Sequence, residues 1–266
     1  MNTLIRTSFF FSLVLVFLTS EAPAQDSWGN FKGKIKVTGE VPPIDAEKIN
    51  KDVATCLADK KPPKDDNLIV NKEGGIRDVF VMMYLKKEEP PVHPMYEELK
   101  KKPVELDNKD CRFTPHALFV RTGQTLRLKN SDDVGHNCHI KCFNNEHNVN
   151  VPQDKDVDLS MAEKEKVPGL VVCDIHPWMD AVIMIRDEPY VAITDKDGSF
   201  EIKNVPAGEW KFQFWHRKCG YMKKLEVPGS EVGRRGEIEV KIEADKTLDL
   251  GVLTIDGSAF EKKNKK

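Results

Sequence analysis

The chain has no surplus of charge of either sign. Its 41 Lys and Arg stand against 43 Asp and Glu, a formal net charge of −2. The two signs are interspersed, so no basic stripe tracks a phosphate backbone, and nucleic acid is not expected as the main partner. After residue 24 no stretch is apolar enough to cross a bilayer, so no membrane span is expected in the mature chain. The pair Asp195 and Asp197 lacks the bidentate Glu that completes a calcium loop, and reads as a turn. No motif of a substrate pocket stands out. Cysteine is scarce, at six residues.

A β protein behind an export leader is what the sequence does contain. Its 266 residues, 39% hydrophobic, suffice for one or two domains with a core, and 16 Gly with 16 Pro suit loop-rich β structure. Residues 1–24 read as a secretory signal peptide: Arg6 supplies the positive region, Phe9 to Leu18 the apolar region, and Ala22-Pro23-Ala24 the cleavage site. Cleavage after Ala24 makes the mature chain periplasmic or secreted, where disulfides persist.

Residues 28–88 read as an N-terminal β segment. Phe31, Gly33, Ile35 and Val37 share one face of a strand, and Arg77 to Leu85 forms another. Residues 86–110 alternate Pro with Lys/Glu clusters and read as an exposed loop with little core to bury. Over 106–188, strands at about 117–121 and 125–129 flank Thr122-Gly123-Gln124. A further strand starts at His136, and period two places His136, Cys138, Ile140 and Cys142 on one face. Residues 143–167 read as a polar excursion with one helical turn. Leu170 to Val172 and Ala181 to Ile185 are short strands. Residues 189–257 form another β unit, in which Asp197-Gly198 turns Tyr190–Thr194 back onto Ser199–Ile202 as a hairpin. Residues 258–266 are a charged tail.

The loop between the last two strands of 106–188 reads Cys173-Asp174-Ile175-His176-Pro177-Trp178-Met179. It carries a thiolate, an imidazole and a thioether at the spacing C-x2-H-x2-M. Soft sulfur with imidazole selects copper, and a trigonal His2Cys site with a long axial Met serves copper electron transfer. His136 is the candidate second imidazole. Alone, Cys173 would read as a buried or disulfide cysteine and Met179 as core; in step with His176 they read as metal ligands.

His136-Asn137 together with Cys173 to Met179 resembles the cupredoxins, the blue copper proteins, in their amicyanin/plastocyanin-like form, because Pro177 directly follows the second histidine. Phe113 to Asn130 is similar to the cupredoxin stretch that leads to the first ligand. The resemblance covers roughly residues 111–187. It implies a Greek-key β-sandwich holding one copper per chain through His136, Cys173, His176 and an axial Met179. It also implies that Asn137 ties its strand to the ligand loop beside Asp174, and that His176 sits in an apolar surface patch whose outer edge is the electron exit. Val172 and the thiols of Cys138 and Cys142 depart from the pattern. A binuclear centre would need two cysteines on the later loop, which holds Cys173 alone.

Thr194-Asp195-x-Asp197-Gly198-x-Phe200 and Val205-Pro206-Ala207-Gly208 resemble the transthyretin-like repeat of carboxypeptidase regulatory domains. That family opens with strands like those at 33–39 and 79–85, which here precede the copper module. The expected fold is therefore all-β: a cupredoxin sandwich inserted into a second, prealbumin/Ig-like β-sandwich unit.

Setting Cys173 aside leaves five cysteines, which cannot all pair. Cys56 with Cys111 is the first choice, since both flank the loose loop, and Cys142 with Cys219 the second; connectivity is not readable from sequence. Three functions remain open. One is a mononuclear type 1 copper protein that carries single electrons to a redox partner protein. Another is a copper carrier or store. The third is a β-sandwich binding module with a vestigial copper site. With all four ligand positions filled by protein, no open position remains for chemistry, and the chain is not expected to be an enzyme.

Overall fold

Apolar residues at period two dictate strands with one buried face, and such strands carry most of this protein. The computed structural model describes residues 27–57 and 61–261. The expected signal peptide and residues 262–266 of the tail lie outside the described residues. In chain order the strands are β1 Trp28–Thr38, β2 Phe80–Met83, β3 Val104–Lys109, β4 Arg112–Thr114, β5 Ala117–Arg121, β6 Thr125–Asn130, β7 His136–Lys141, β8 Glu146–Val151 and β9 Val157–Ser160. Then follow β10 Gly169–Val172, β11 Asp180–Arg186, β12 Val191–Ile193, β13 Ser199–Pro206, β14 Gly208–His216, β15 Gly220–Tyr221, β16 Glu237–Ile242 and β17 Thr247–Asp256. The helices α1 Val53–Cys56 and α2 Pro94–Lys100 are short. Among the described residues no helix is long and apolar enough to cross a membrane.

The fold is all-β, as expected. One sheet, β13-β1-β17, and a second, β12-β2-β14 extended by β15 and β16, enclose a core built on Phe31, Ile35, Phe200, Phe212, Phe214 and Ile255. The two N-terminal strands complete sheets of the C-terminal segment: β1 lies between β13 and β17, and β2 between β12 and β14. The intervening chain builds its own sandwich. Sheets β5-β11-β10-β7-β8 and β4-β3-β6-β9 enclose Leu106, Leu126, Ile140, Val171 and Ile183.

The two sandwiches also pack back to back, through Phe80 and Met82 on one side and Ala117, Val182 and Met184 on the other. All four residues of β2 are therefore buried, Val81 and Met83 inward and Phe80 and Met82 toward the junction. Burial on both faces removes the alternation that a one-sided strand shows. An ionic chain crosses the same junction. His116 Nδ1 lies 3.0 Å from Asp78 Oδ2 and its Nε2 3.6 Å from Asp180 Oδ1, the second distance long for a hydrogen bond. Arg77 and Arg217 pair with Asp78 and Asp180.

Four expectations are corrected. Residues 86–110 hold α2 and β3, and Leu106 is fully buried, because β3 lies parallel to β6 and antiparallel to β4. The polar stretch 143–167 has no helical turn; it contributes β8 to β7 and β9 to β6, with half of each strand facing water. The Asp197-Gly198 turn forms, but β12 pairs with β2 and β13 with β1, so it steps between sheets instead of closing a hairpin. Cys142 and Cys219 are both free, since Cys142 packs on the second core and Cys219 on the first. The first-choice bridge, Cys56–Cys111, is present with an S–S distance of 2.02 Å. At the tail, Gly257–Phe260 forms a 3-10 turn that buries Phe260 against His216.

Candidate metal centre

β10 pairs with β7 in a register that sets Val172 beside His139, and with β11 so that Val172 faces Asp180. The connection between β10 and β11 therefore opens and closes next to the start of β7. Within it the Met179 N–H donates to His176 O (2.9 Å), the Cys173 N–H to Met179 O (3.2 Å), and the His176 N–H points at Cys173 Sγ (3.4 Å). Asn137 on β7 fixes this loop as expected. Its Oδ1 accepts the N–H groups of Asp174 (2.7 Å) and Ile175 (3.3 Å), and its Nδ2 donates to Asp174 Oδ2 (3.0 Å).

Three of the sequence-nominated residues converge. One ligand atom each from His136, Cys173 and His176 lies within 4.8 Å of the other two. His176 Nδ1 is 2.9 Å from His136 Nδ1 and 3.8 Å from Cys173 Sγ. All three side chains are buried. Met179, the fourth, is buried in the same core as Cys173, with its main chain bonded into the loop.

The outer nitrogen of each imidazole meets a carboxylate. His136 Nε2 lies 2.8 Å from Asp132 Oδ2, and His176 Nε2 lies 2.8 Å from Asp52 Oδ2. Each carboxylate accepts an Nε2–H, which leaves Nδ1 as the nitrogen of each ring turned into the cluster. Asp132 is itself held by the N–H groups of Asp110 (2.7 Å) and Cys111 (2.9 Å). The Trp178 indole N–H donates to Cys111 O, and its ring covers His176 at 5.1 Å between centroids. Two imidazole nitrogens and a cysteine sulfur converging in a buried cluster are a donor set that fits a borderline-soft cation such as copper. A second grouping of Cys111, Asp132 and His136 offers no such set, because the Cys111 sulfur is in the disulfide.

The electrostatics ease deprotonation of Cys173. Burial would raise the Cys173 pKa, but hydrogen bonding with the His136 ring and the N–H groups of Asn137, His176 and Ile175 outweighs it and lowers it. Burial opposes charge on His136 too, yet Asp132 and Cys173 raise its pKa to about 9. On His176 burial prevails over Asp52 and lowers the pKa. Cys138, by contrast, is raised by burial and remains a thiol.

One expectation about the site fails. His176 has no outer edge in a surface patch; it is 0% exposed, behind Asp52 and Trp178. The segment before α1 folds over it, tethered by Cys56–Cys111. Neither Asp52 nor Asp132 is nominated by the sequence reading. Asp132, four residues before His136, had a local signal; Asp52, 124 residues from its partner, had none.

No family model matches this chain, and no curated protein matches it. Among solved structures, the copper-containing nitrite reductase NirK of Thermus scotoductus SA-01 is similar at a TM-score of 0.30 and 15% identity, covering 39% of this chain and 25% of its own. A novel purple cupredoxin of Nitrosopumilus maritimus is similar at 0.26 and 17%, covering 30% of this chain and 97% of its own. The P94A mutant of amicyanin is similar at 0.28 and 18%, covering 31% and 81%. The expectation that the chain is not an enzyme is withdrawn, because the first of these neighbours is named as a reductase. The match spans a quarter of that reductase's length, and these are likenesses to copper proteins in the fold of one part of the chain.

Proposed function

We propose that the protein binds one copper ion in a mononuclear, type 1-like centre and passes single electrons to and from a redox partner protein. The observation that carries this reading is the convergence of His136, Cys173 and His176 in a buried cluster whose outer nitrogens are both held by carboxylates. His136 and His176 would bind through Nδ1, Cys173 through its thiolate, and Met179 would lend its thioether as a weaker ligand. Copper in such a site supplies a one-electron couple. The chain's own residues do the rest. Asp132 fixes the His136 ring, Asn137 fixes the loop, Pro177 stiffens it by restricting φ, and burial keeps water from the thiolate.

The proposal takes residues 106–188 as the copper domain, set between the 28–88 and 189–257 segments, which together form a transthyretin-like unit. The strand pairings of β1 and β2 support this division. It places the mature chain in the periplasm or outside the cell, where the Cys56–Cys111 disulfide is stable. A copper carrier or store is the second reading, favoured by the complete burial of His176.

Titrating Cu(II) into the purified chain tests the proposal. An intense visible thiolate-to-copper band at one copper per chain, absent in Cys173→Ala, is the expected result. No band in the parent overturns the copper reading. A band without reversible redox cycling selects the carrier or store.

A further inference from the structure

We propose that Asp52 is a positioning residue of the metal centre and that the strap presenting it, residues 46–57, closes the outward edge of His176. The inference rests on the reading of His176 as a ligand and goes beyond it, because it adds a residue from outside the copper sandwich.

Three observations carry it. Asp52 occupies the N-cap position of α1, where an Asp side chain normally accepts an N–H from the first turn. Here it makes no such bond; its carboxylate instead meets His176 Nε2 at 2.8 Å. Its backbone is left-handed, at φ 45 and ψ 42. Asp adopts that conformation more readily than most residues with a Cβ, as Asp78, Asp110 and Asp245 also do here.

The strap is also fastened at both legs. Ile49 and Cys56 pack on the core of the second sandwich, and Cys56 is bonded to Cys111. On the other leg the Glu47 N–H donates to Pro63 O and the Asp65 N–H to Asp45 O, while Arg112 on β4 holds Asp66 and donates to Lys64 O (2.6 Å).

Cys111, finally, joins the holders of both rings. Its N–H donates to Asp132, which holds His136; its carbonyl receives Trp178, which covers His176; and its sulfur tethers the strap that carries Asp52. Cys111 thus links Asp132, Trp178 and the strap that carries Asp52. A partner protein approaching this end meets the strap, not a bare imidazole edge, and small solutes are kept from the ring.

Imidazole 15N NMR of the full mature chain without metal reads the contact directly. The parent should show His176 as a single tautomer with an Nε2 proton protected from solvent exchange. Asp52→Ala should lose that protection and mix the tautomers. Asp52→Asn, which keeps an acceptor oxygen, should retain it in part. With copper bound, Asp52→Ala should weaken copper affinity by about 10- to 100-fold and speed oxidation of the Cu(I) form by hexacyanoferrate several-fold. Lys48→Ala, exposed on the same strap, should change neither. A freely exchanging His176 Nε2–H in the parent, or an Asp52→Ala protein with unchanged tautomer and oxidation rate, overturns the proposal. A parent without a copper band overturns the function proposed above, while the metal-free NMR result still decides the role of Asp52.

Discussion

Around Phe31, Phe200, Phe212 and Phe214 the first sandwich is filled by aromatic rings whose centroids lie 4.4 to 6.0 Å apart. The second sandwich, of similar make, buries His136, His176, Asn130, Asn137 and Asp132 instead. Apolar packing dominates the first. In the second, buried polar groups would be costly if unpaired, and those at the site are answered by partners: Asp132 for His136, Asp52 for His176, the Val134 and Val151 carbonyls for Asn130. The second sandwich also carries the disulfide. Holding donors inside a core displaces apolar contacts, and hydrogen bonds with a covalent tie replace them.

Phe212→Ala should break this contrast most sharply. Phe212 is fully buried in the first core, and its truncation should cost about 3–5 kcal/mol in denaturant unfolding. Copper affinity, measured by titration, should not change; a loss would show that the two cores are coupled through the junction. Replacing both cysteines, Cys56→Ser with Cys111→Ser, should cost about 2–4 kcal/mol and, unlike the first variant, should lower copper affinity.

Between these lies the junction itself. Burial disfavours charge on His116, but Asp180 and Asp78 raise its pKa to about 9, above the ordinary 6.5. A raised histidine contributes its full stability below pH 6.5 and loses it as pH climbs through about 9. Unfolding free energy should therefore fall across that window by about 2–3 kcal/mol, and His116→Gln should flatten the slope. The smallest effect is expected from Asp132→Asn, which weakens the acceptor of two N–H groups and one imidazole. It should cost about 1–2 kcal/mol, with copper affinity reduced about tenfold; an unchanged affinity would mean that His136 needs no anchor.

The candidate metal loop is legible in the sequence because Cys173, His176 and Met179 fall within one short connection, where spacing along the chain sets spacing in the fold. His136 is legible because it heads a strand with a clear period of two. β3 is not. Val104, Leu106 and Asn108 alternate with charged residues in a stretch crowded by Lys and Pro, and its inward face becomes apparent only beside β6. β8 and β9 are half exposed and carry few apolar residues, so their pairing with β7 and β6 leaves little trace in composition. Asp52 is the extreme case. An acidic residue in a Lys- and Asp-rich stretch looks like any solvated carboxylate until a remote histidine is placed against it.

The pairing of β1 with β17 joins Asn30–Thr38 to Thr247–Asp256. During synthesis from the N-terminus, the first strand emerges long before its partner and must wait for nearly the whole chain. Contacts of such long sequence separation form slowly, whereas residues 104–186 find their partners close by. The sandwich that houses the thiol can thus assemble first. The other closes last, when β17 reaches β1.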